Sequence, residues 1–269
     1  MGFIDSIVAA ISPKAAYERE IYKIAADGLR SLDSYDAGSY EHNNRNWNVT
    51  NESAEITDRY SRDTIRARAR DLERNSDIMN SITSAWKRNI IGSGFILQAK
   101  TPDAELNKQI ERAWKKWCKK QNCDVTQTQS LNQMLRMAVN RKKVDGGILF
   151  IKRYTNGGMI PFKLQVIEVD ELDTMATAPK NKGNKVVGGI EYNAYNAPVG
   201  YFIKQYDIDG YNLSTPVYVE AKNVIFYFSK KRPSQLREIS DMAPTIPRIR
   251  DVNEFITAVS VKERILACF

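Results

Sequence analysis

Between residues 54 and 144 the apolar side chains recur at steps of three and four, and from residue 147 onward they alternate. The first pattern lays one face of a helix on a core, and the second does the same for a strand. Residues 54–91 are expected to be helical in two pieces. Asn75, Ser76 and Asp77 interrupt the pattern, and Ser76 suits the N-cap of the second piece, which carries Ile78, Ile82, Ala85, Trp86, Asn89 and Ile90 at helical spacing. Gly92, Ser93 and Gly94 stop it, and FILQAK (95–100) is expected to be a strand. Residues 104–120 predict an amphipathic helix, with Leu106, Ile110, Ala113, Trp114 and Trp117 within about 100° of a wheel. Arg112, Lys115, Lys116 and Lys119 lie opposite. The two tryptophans are expected in the core and the lysines in water. Ser130 and Gln133 have the spacing of a capping box. They open a helix with Leu131, Met134, Leu135, Ala138 and Val139 on one side, ending near Val144.

The alternating segments are ILFIKRY (148–154), FKLQVIEV (162–169), GGIEYNAYNAPVGYFIKQYD (188–207) and PVYVEAKNVIFYF (216–228), with NAYNAP as a hairpin loop. They predict a β-rich unit. A last helix begins at about Pro247. Val252, Phe255, Ile256, Val259 and Leu266 form one apolar stripe, with Val261, Ile265 and Cys268 on the other side, so it is expected to be buried from two directions. It reaches Phe269 with no Gly, Pro or polar cap, and is expected to be cut within the element. The fold class is α+β, with a helical N-terminal half, a β-rich middle unit and a long terminal helix. Its expected parts are an N-terminal helix and extended arm (1–53), a helical region (54–145), the β-rich unit (146–230), and a loop leading into the long helix (231–269). In the polar arm SYDAGSYEHNNRNWNVTNES (34–53), Trp47 is the one large anchor.

Composition narrows the chemistry. The net charge of +8 favours polyanionic partners without proving them. Cys118, Cys123 and Cys268 fit no zinc spacing, and an odd count suggests a reducing compartment. The single histidine, His42, lies in a polar stretch, which leaves histidine-dependent catalysis poorly supported. No GxxxxGK[ST] and no G-x-S-x-G is present. No run approaches the roughly 18 apolar residues of a membrane span. The opening MGFIDSIVAAISPK lacks a basic start and reads as a weakly amphipathic helix rather than a signal peptide.

Two charged clusters remain. Arg59, Arg62, Arg66, Arg70 and Arg74 are spaced 3, 4, 4 and 4 and share an arc of roughly 120°, apart from the stripe Ile65, Ala69 and Leu72. Such a row could track phosphates. Asp63 and Glu73 lie in the same arc, however, so the row also reads as a salt-bridged face or a contact with a neighbouring subunit. The acids Glu168, Asp170, Glu171 and Asp173 could hold Mg²⁺ for a nuclease, or form an acidic turn at a strand end.

RARARDLERNSDIMNSITSAWKRNIIGSGFILQA (66–99) resembles the signature of the lambda-type phage portal proteins, in which an R-x-R-x-L-x-R-N run precedes a helix, V/I-G-x-G and a strand. Other pieces agree in order: Tyr35, Asp36 and Ala37 with Trp47; Trp114, Trp117, Asp124 and Asp145-Gly146; Gly189, Ile190 and Glu191 leading to Pro198 and Tyr201; Arg232-Pro233, Gln235 and Arg237, then Ala243-Pro244. There are departures. The family usually has Gly-Glu where this chain has Gly146-Gly147. In its Arg-Pro-Gly-Gln-x-Arg-Gly, both glycines are replaced here, by Ser234 and Glu238, which implies a stiffer or differently shaped loop. The family's chains are also much longer.

The resemblance implies a structural protein rather than an enzyme, with no cofactor and no metal. Its partners would be copies of itself in a ring, usually of twelve, and double-stranded DNA passing without sequence preference. Terminase large subunit, capsid and head-completion proteins would be further partners, and no membrane. The place would be a capsid vertex of the virion, after assembly in the bacterial host cytoplasm. Arg59, Arg62, Arg66, Arg70, Arg74, Arg232 and Arg237 are then candidates for inter-subunit or weak DNA contacts. The alternatives are a metal-dependent nuclease using Glu168, Asp170 and Asp173, and a general basic nucleic-acid-binding module.

Overall fold

The computed structural model describes residues 10–32, 46, 49–156, 160–211 and 214–269, which includes neither His42 nor Trp47. The chain divides into two units, residues 1–51 and 52–269. The first contains α1 (Pro13–Leu32), whose Tyr17, Tyr22 and Ile24 are exposed. No helix among the described residues is long and apolar enough to cross a membrane.

The second unit is α+β, as the pattern predicts. It opens with α2 (Ala54–Arg59), α3 (Arg62–Asn75) and α4 (Asp77–Ile91), so 54–91 forms three pieces rather than two. Ser53 caps α2 and Ser76 caps α4, its hydroxyl accepting from the Met79 N–H. Then come α5 (Ala104–Trp117), capped by Asp103, the short α6 (Lys120–Cys123), and α7 (Leu131–Val144), opened by the expected Ser130–Gln133 box.

Among the described residues seven strands follow: β1 (Gly147–Tyr154), β2 (Phe162–Ile167), β3 (Lys185–Val187), β4 (Ile190–Tyr192), β5 (Pro198–Ile203), β6 (Val217–Glu220) and β7 (Val224–Phe228). They form two antiparallel sheets, β2-β1-β7 and β3-β4-β5-β6. A final helix, α8, runs from Ile246 to Leu266.

β1 explains the layering. Its run of apolar residues is buried on both faces, as a central strand requires. Leu149 and Ile151 join Ile167, Ile190, Tyr201, Ile203 and Val219 in a core between the sheets. Ile148 and Phe150 turn the other way onto Trp117, Cys123, Met134 and Ala138 of the helical layer. Each Ile, Leu, Val, Phe or Met among them contributes about 1.5–3 kcal/mol when fully buried. A third cluster joins Ala69 of α3, Met79 of α4, Val144 of α7 and Met242, Ile246 and Ile249 at the start of α8.

Three expectations are corrected. Among the described residues FILQAK (95–100) pairs with no strand; Phe95, Ile96 and Leu97 are exposed, and Ile96 is 80% so. The segment is tied through α5 instead, Glu111 accepting from the Ala99 N–H at 3.2 Å, because alternation alone supplies no ladder partner. On α4 the buried positions are Met79, Thr83 and Ile91, a face rotated by about one residue from the predicted stripe, while Trp86 and Ile90 are partly open. On α8 only Ile246 and Ile249 are buried, and both predicted stripes face solvent in the single chain.

Candidate functional site

α3 is held on two sides. Ala69, with Ile65 and Leu72, faces the third core cluster. The arginine arc meets carboxylates brought from afar. The four-residue spacing moves each guanidinium about 6 Å along the axis, and each step meets a different anchor. Arg62 donates to the Glu55 carboxylate at 2.9 Å and to the Glu238 carbonyl at 2.9 Å. Arg66 donates to Glu238 and to Asp63, both at 3.1 Å, and to Asp170. Arg70 reaches Asp145 at 2.7 Å, Asp170 at 2.6 Å and Glu168 at 3.1 Å.

Arg237 completes the seam from the loop before α8. It is fully buried, donates twice to its neighbour Glu238 at 2.8 and 2.9 Å, and reaches the Gly188 and Val169 carbonyls. The same loop buries Gln235, whose Oε1 accepts from the Lys231 N–H at 2.7 Å and whose Nε2 donates to the Arg237 carbonyl at 2.9 Å. Sequence reading took Arg237 as a contact residue and gave Gln235 and Glu238 no part in the seam. The available signal was a polar run between two apolar elements with a Pro and no Gly to loosen it.

The expected partners differ in part. Asp63 does pair with Arg66, but Glu73 turns to Arg141 and Asn140 of α7. Of the seven arginines, Arg62, Arg66 and Arg237 are buried inside the unit, Arg70 is half-buried, and Arg59, Arg74 and Arg232 are exposed. Arg74 lies 3.9 Å from Asp71, and Arg232 donates to the Glu52 carbonyl at 2.8 Å.

The charges set one another's protonation. Burial pushes Asp170 up, but Arg66 and Arg70 outweigh it and hold the carboxyl below its usual range. Glu238 is likewise raised by burial and lowered further by Arg237, Arg66 and Arg62, the net direction being down. Glu171 goes the other way, because burial and the adjacent Glu168 charge raise it while its carboxylate caps the Glu168 N–H at 2.9 Å.

The acids singled out for Mg²⁺ are therefore committed elsewhere. Asp170 and Glu168 face arginines, Glu171 caps a turn, and Asp173 pairs with Lys204 at 2.8 Å. Among the described residues no group of three or more His, Cys, Asp or Glu could hold a metal ion. The nuclease alternative loses its site. Chemically, the seam is a clamp joining α3, the turn at 168–171 and the loop at 231–240.

The family model described as phage portal protein, lambda family, matches residues 40–269. The chain belongs to the lambda family of phage portal proteins. A probable portal protein of Halomonas phage phiHAP-1 is 29% identical over 189 residues, which is 65% of this chain and 36% of that protein. The chain thus spans little more than a third of the length of this portal relative.

Within the portal family's pattern, two of the departures meet in space. A Cβ on Gly147 would stand 3.0 Å from the Phe226 ring and 3.2 Å from the Cβ of Glu238. Glu238 occupies the room that a side chain at 147 would need, and supplies the buried carboxylate from the opposite strand of chain. Its neighbours press as closely on Gly146. There a Cβ would lie 2.5 Å from the Ile239 carbonyl carbon, and φ is +96°, which favours glycine.

Proposed function

We propose that this chain is part of a portal subunit that closes into a ring at one capsid vertex, through which double-stranded DNA is packaged and ejected. The ring would dock terminase and head-completion proteins, and its place would be the virion after assembly in the host cytoplasm. The observation that carries this reading, in a chain of the portal family, is α8. It has 21 residues and a length of about 30 Å. Only Ile246 and Ile249 are buried, while Val252, Phe255, Ile256 and Val259 stand open, Phe255 at 69%. A closed ring requires two different, complementary faces on each subunit, and an uncovered apolar helix supplies material for one of them. Arg59, Arg74 and Arg232, exposed beside the seam, are the candidates for further contacts between neighbours.

The test is the mass and shape of the protein expressed from its complete gene. Electron microscopy and light scattering should show large closed rings, and Phe255→Asp should reduce their yield severalfold. A wild-type protein that stays monomeric at high concentration would overturn the proposal.

A further inference from the structure

The arginines of α3 are largely neutralised, so the excess positive charge must lie elsewhere. Between Arg112 and Cys123 the chain carries five cations, Arg112, Lys115, Lys116, Lys119 and Lys120, and no acid. All five are exposed. None of their side chains takes part in a hydrogen bond or ion pair among the described residues, whereas Lys108, one turn earlier, pairs with Glu105 at 3.7 Å.

The fold then adds a sixth. Lys163 of β2 is held against this end of the helix by its Nζ donating to the Gln121 carbonyl at 2.9 Å. A helix C-terminus favours Lys115 and Lys116 by itself. The bond to the Gln121 carbonyl anchors Lys163 at the residue that follows Lys120, so a further cation joins this end of the segment. The nearest following acid does not relieve the field. Asp124 is buried and accepts from the N–H groups of Thr126, Thr128 and Gln129 and from both threonine hydroxyls. Glu111, one helical turn before Lys115, is partly buried, and its carboxylate is engaged by the Ala99 N–H at 3.2 Å.

We propose that this surface of α5, α6 and Lys163 is a sequence-blind contact site for the phosphodiester backbone of duplex DNA. The apolar residues of the segment point inward: Trp117 is buried, stacks on Phe162 at 5.7 Å and donates to the Phe162 carbonyl at 2.8 Å. Trp114 and Cys118 pack on the same cluster. What remains outside is charge without an apolar centre. Protein interfaces are depleted in lysine and built on aromatic cores; phosphate backbones are bound by charge and counterion release. The patch therefore fits a polyanion better than a folded partner. The identification of that polyanion as DNA rests on the portal reading.

The experiment is anisotropy titration of a random 30-base-pair duplex with protein from the complete gene, in about 50 to 200 mM salt. The wild type is compared with the variant carrying Lys115→Ala, Lys116→Ala, Lys119→Ala and Lys120→Ala. These are exposed helix-compatible changes, so folding should persist, and circular dichroism verifies it. The variant should bind at least tenfold more weakly, and the log–log salt slope should flatten by about 2 to 4, near 0.9 per lost phosphate contact. Lys182→Ala with Lys185→Ala, two exposed lysines outside the patch, should leave both quantities unchanged. Equal binding and equal slope in the lysine variant would overturn the proposal. So would failure of the wild type to bind at the lowest salt, or displacement of DNA by polyglutamate at equal charge. Ring formation is scored separately by electron microscopy, so failure of the portal reading is distinguishable from failure of the patch.

Discussion

Gly147 and Glu238 share one space: a Cβ on the glycine would stand 3.2 Å from the Cβ of the glutamate that holds Arg66 and Arg237. Gly147→Ala should destabilise the fold by about 1–3 kcal/mol through overpacking against Phe226 and Phe228. Glu238→Gly should cost about 3–5 kcal/mol, because Arg237 is left buried without its carboxylate. Combining Glu238→Gly with Gly147→Glu should cost less than the sum of Glu238→Gly alone and Gly147→Glu alone, as neighbours in one network are not additive. Urea denaturation of the wild type, Glu238→Gly, Gly147→Glu and the double variant measures this coupling.

Asp170 gives the seam a pH dependence. Its folded carboxyl lies below the ordinary value of about 3.9. Its contribution is therefore complete above that value and is lost as pH falls through the folded one. Asp170→Asn should lower stability at pH 7 by about 1–3 kcal/mol, a range reduced for its partial exposure. It should also flatten the stability curve below about pH 4. Thermal melts from pH 3 to 7 would show a parallel displacement instead if the carboxylate were uninvolved.

Asp124 organises the turn between α6 and α7 by accepting five hydrogen bonds, from Thr126, Thr128 and Gln129. Asp124→Ala orphans three backbone amides at once and should cost roughly 2–3 kcal/mol. Amide exchange at Thr126, Thr128 and Gln129 should speed up while that of β1 stays slow.

The three cysteines should be separable by rate. Burial, with the charges of Cys118 and Asp124, pushes the Cys123 thiol up to about 11, and the residue has no exposed surface. Cys268 is exposed. A chromogenic disulfide reagent at pH 8 should modify Cys268 first, Cys118 more slowly, and Cys123 only after unfolding. Fast reaction at Cys123 would contradict the packing described.

Much of this architecture was legible because local signals and tertiary demands agree. Ser76 and the Ser130–Gln133 box start helices where their side chains can satisfy free amides, and the change from period 3.6 to 2 at Gly147 marks the first strand. FILQAK misled because a strand is a relation between two segments, and periodicity describes only one. The division into two sheets was invisible for the same reason. At the seam, the spacing of Arg62, Arg66 and Arg70 showed that they point one way. It carried no information about Glu238, 172 residues from Arg66, or Asp145, 75 residues from Arg70. Nearby Asp63 and Glu73 were the partners in view, and one of them is used by another helix.

The seam along α3 differs in kind from the oily contacts elsewhere in the unit. A greasy surface tolerates sliding by a turn, because one methyl group replaces another. Teeth at Arg62, Arg66 and Arg70 that mesh with separately anchored acids admit a single seating, since a shift of one tooth strands a charge in the dry interior. The helix is thereby fixed along its length like a key in its wards, and an axial push on it would bear on the turn at 168–171 and the loop at 231–240 rather than be lost in slippage.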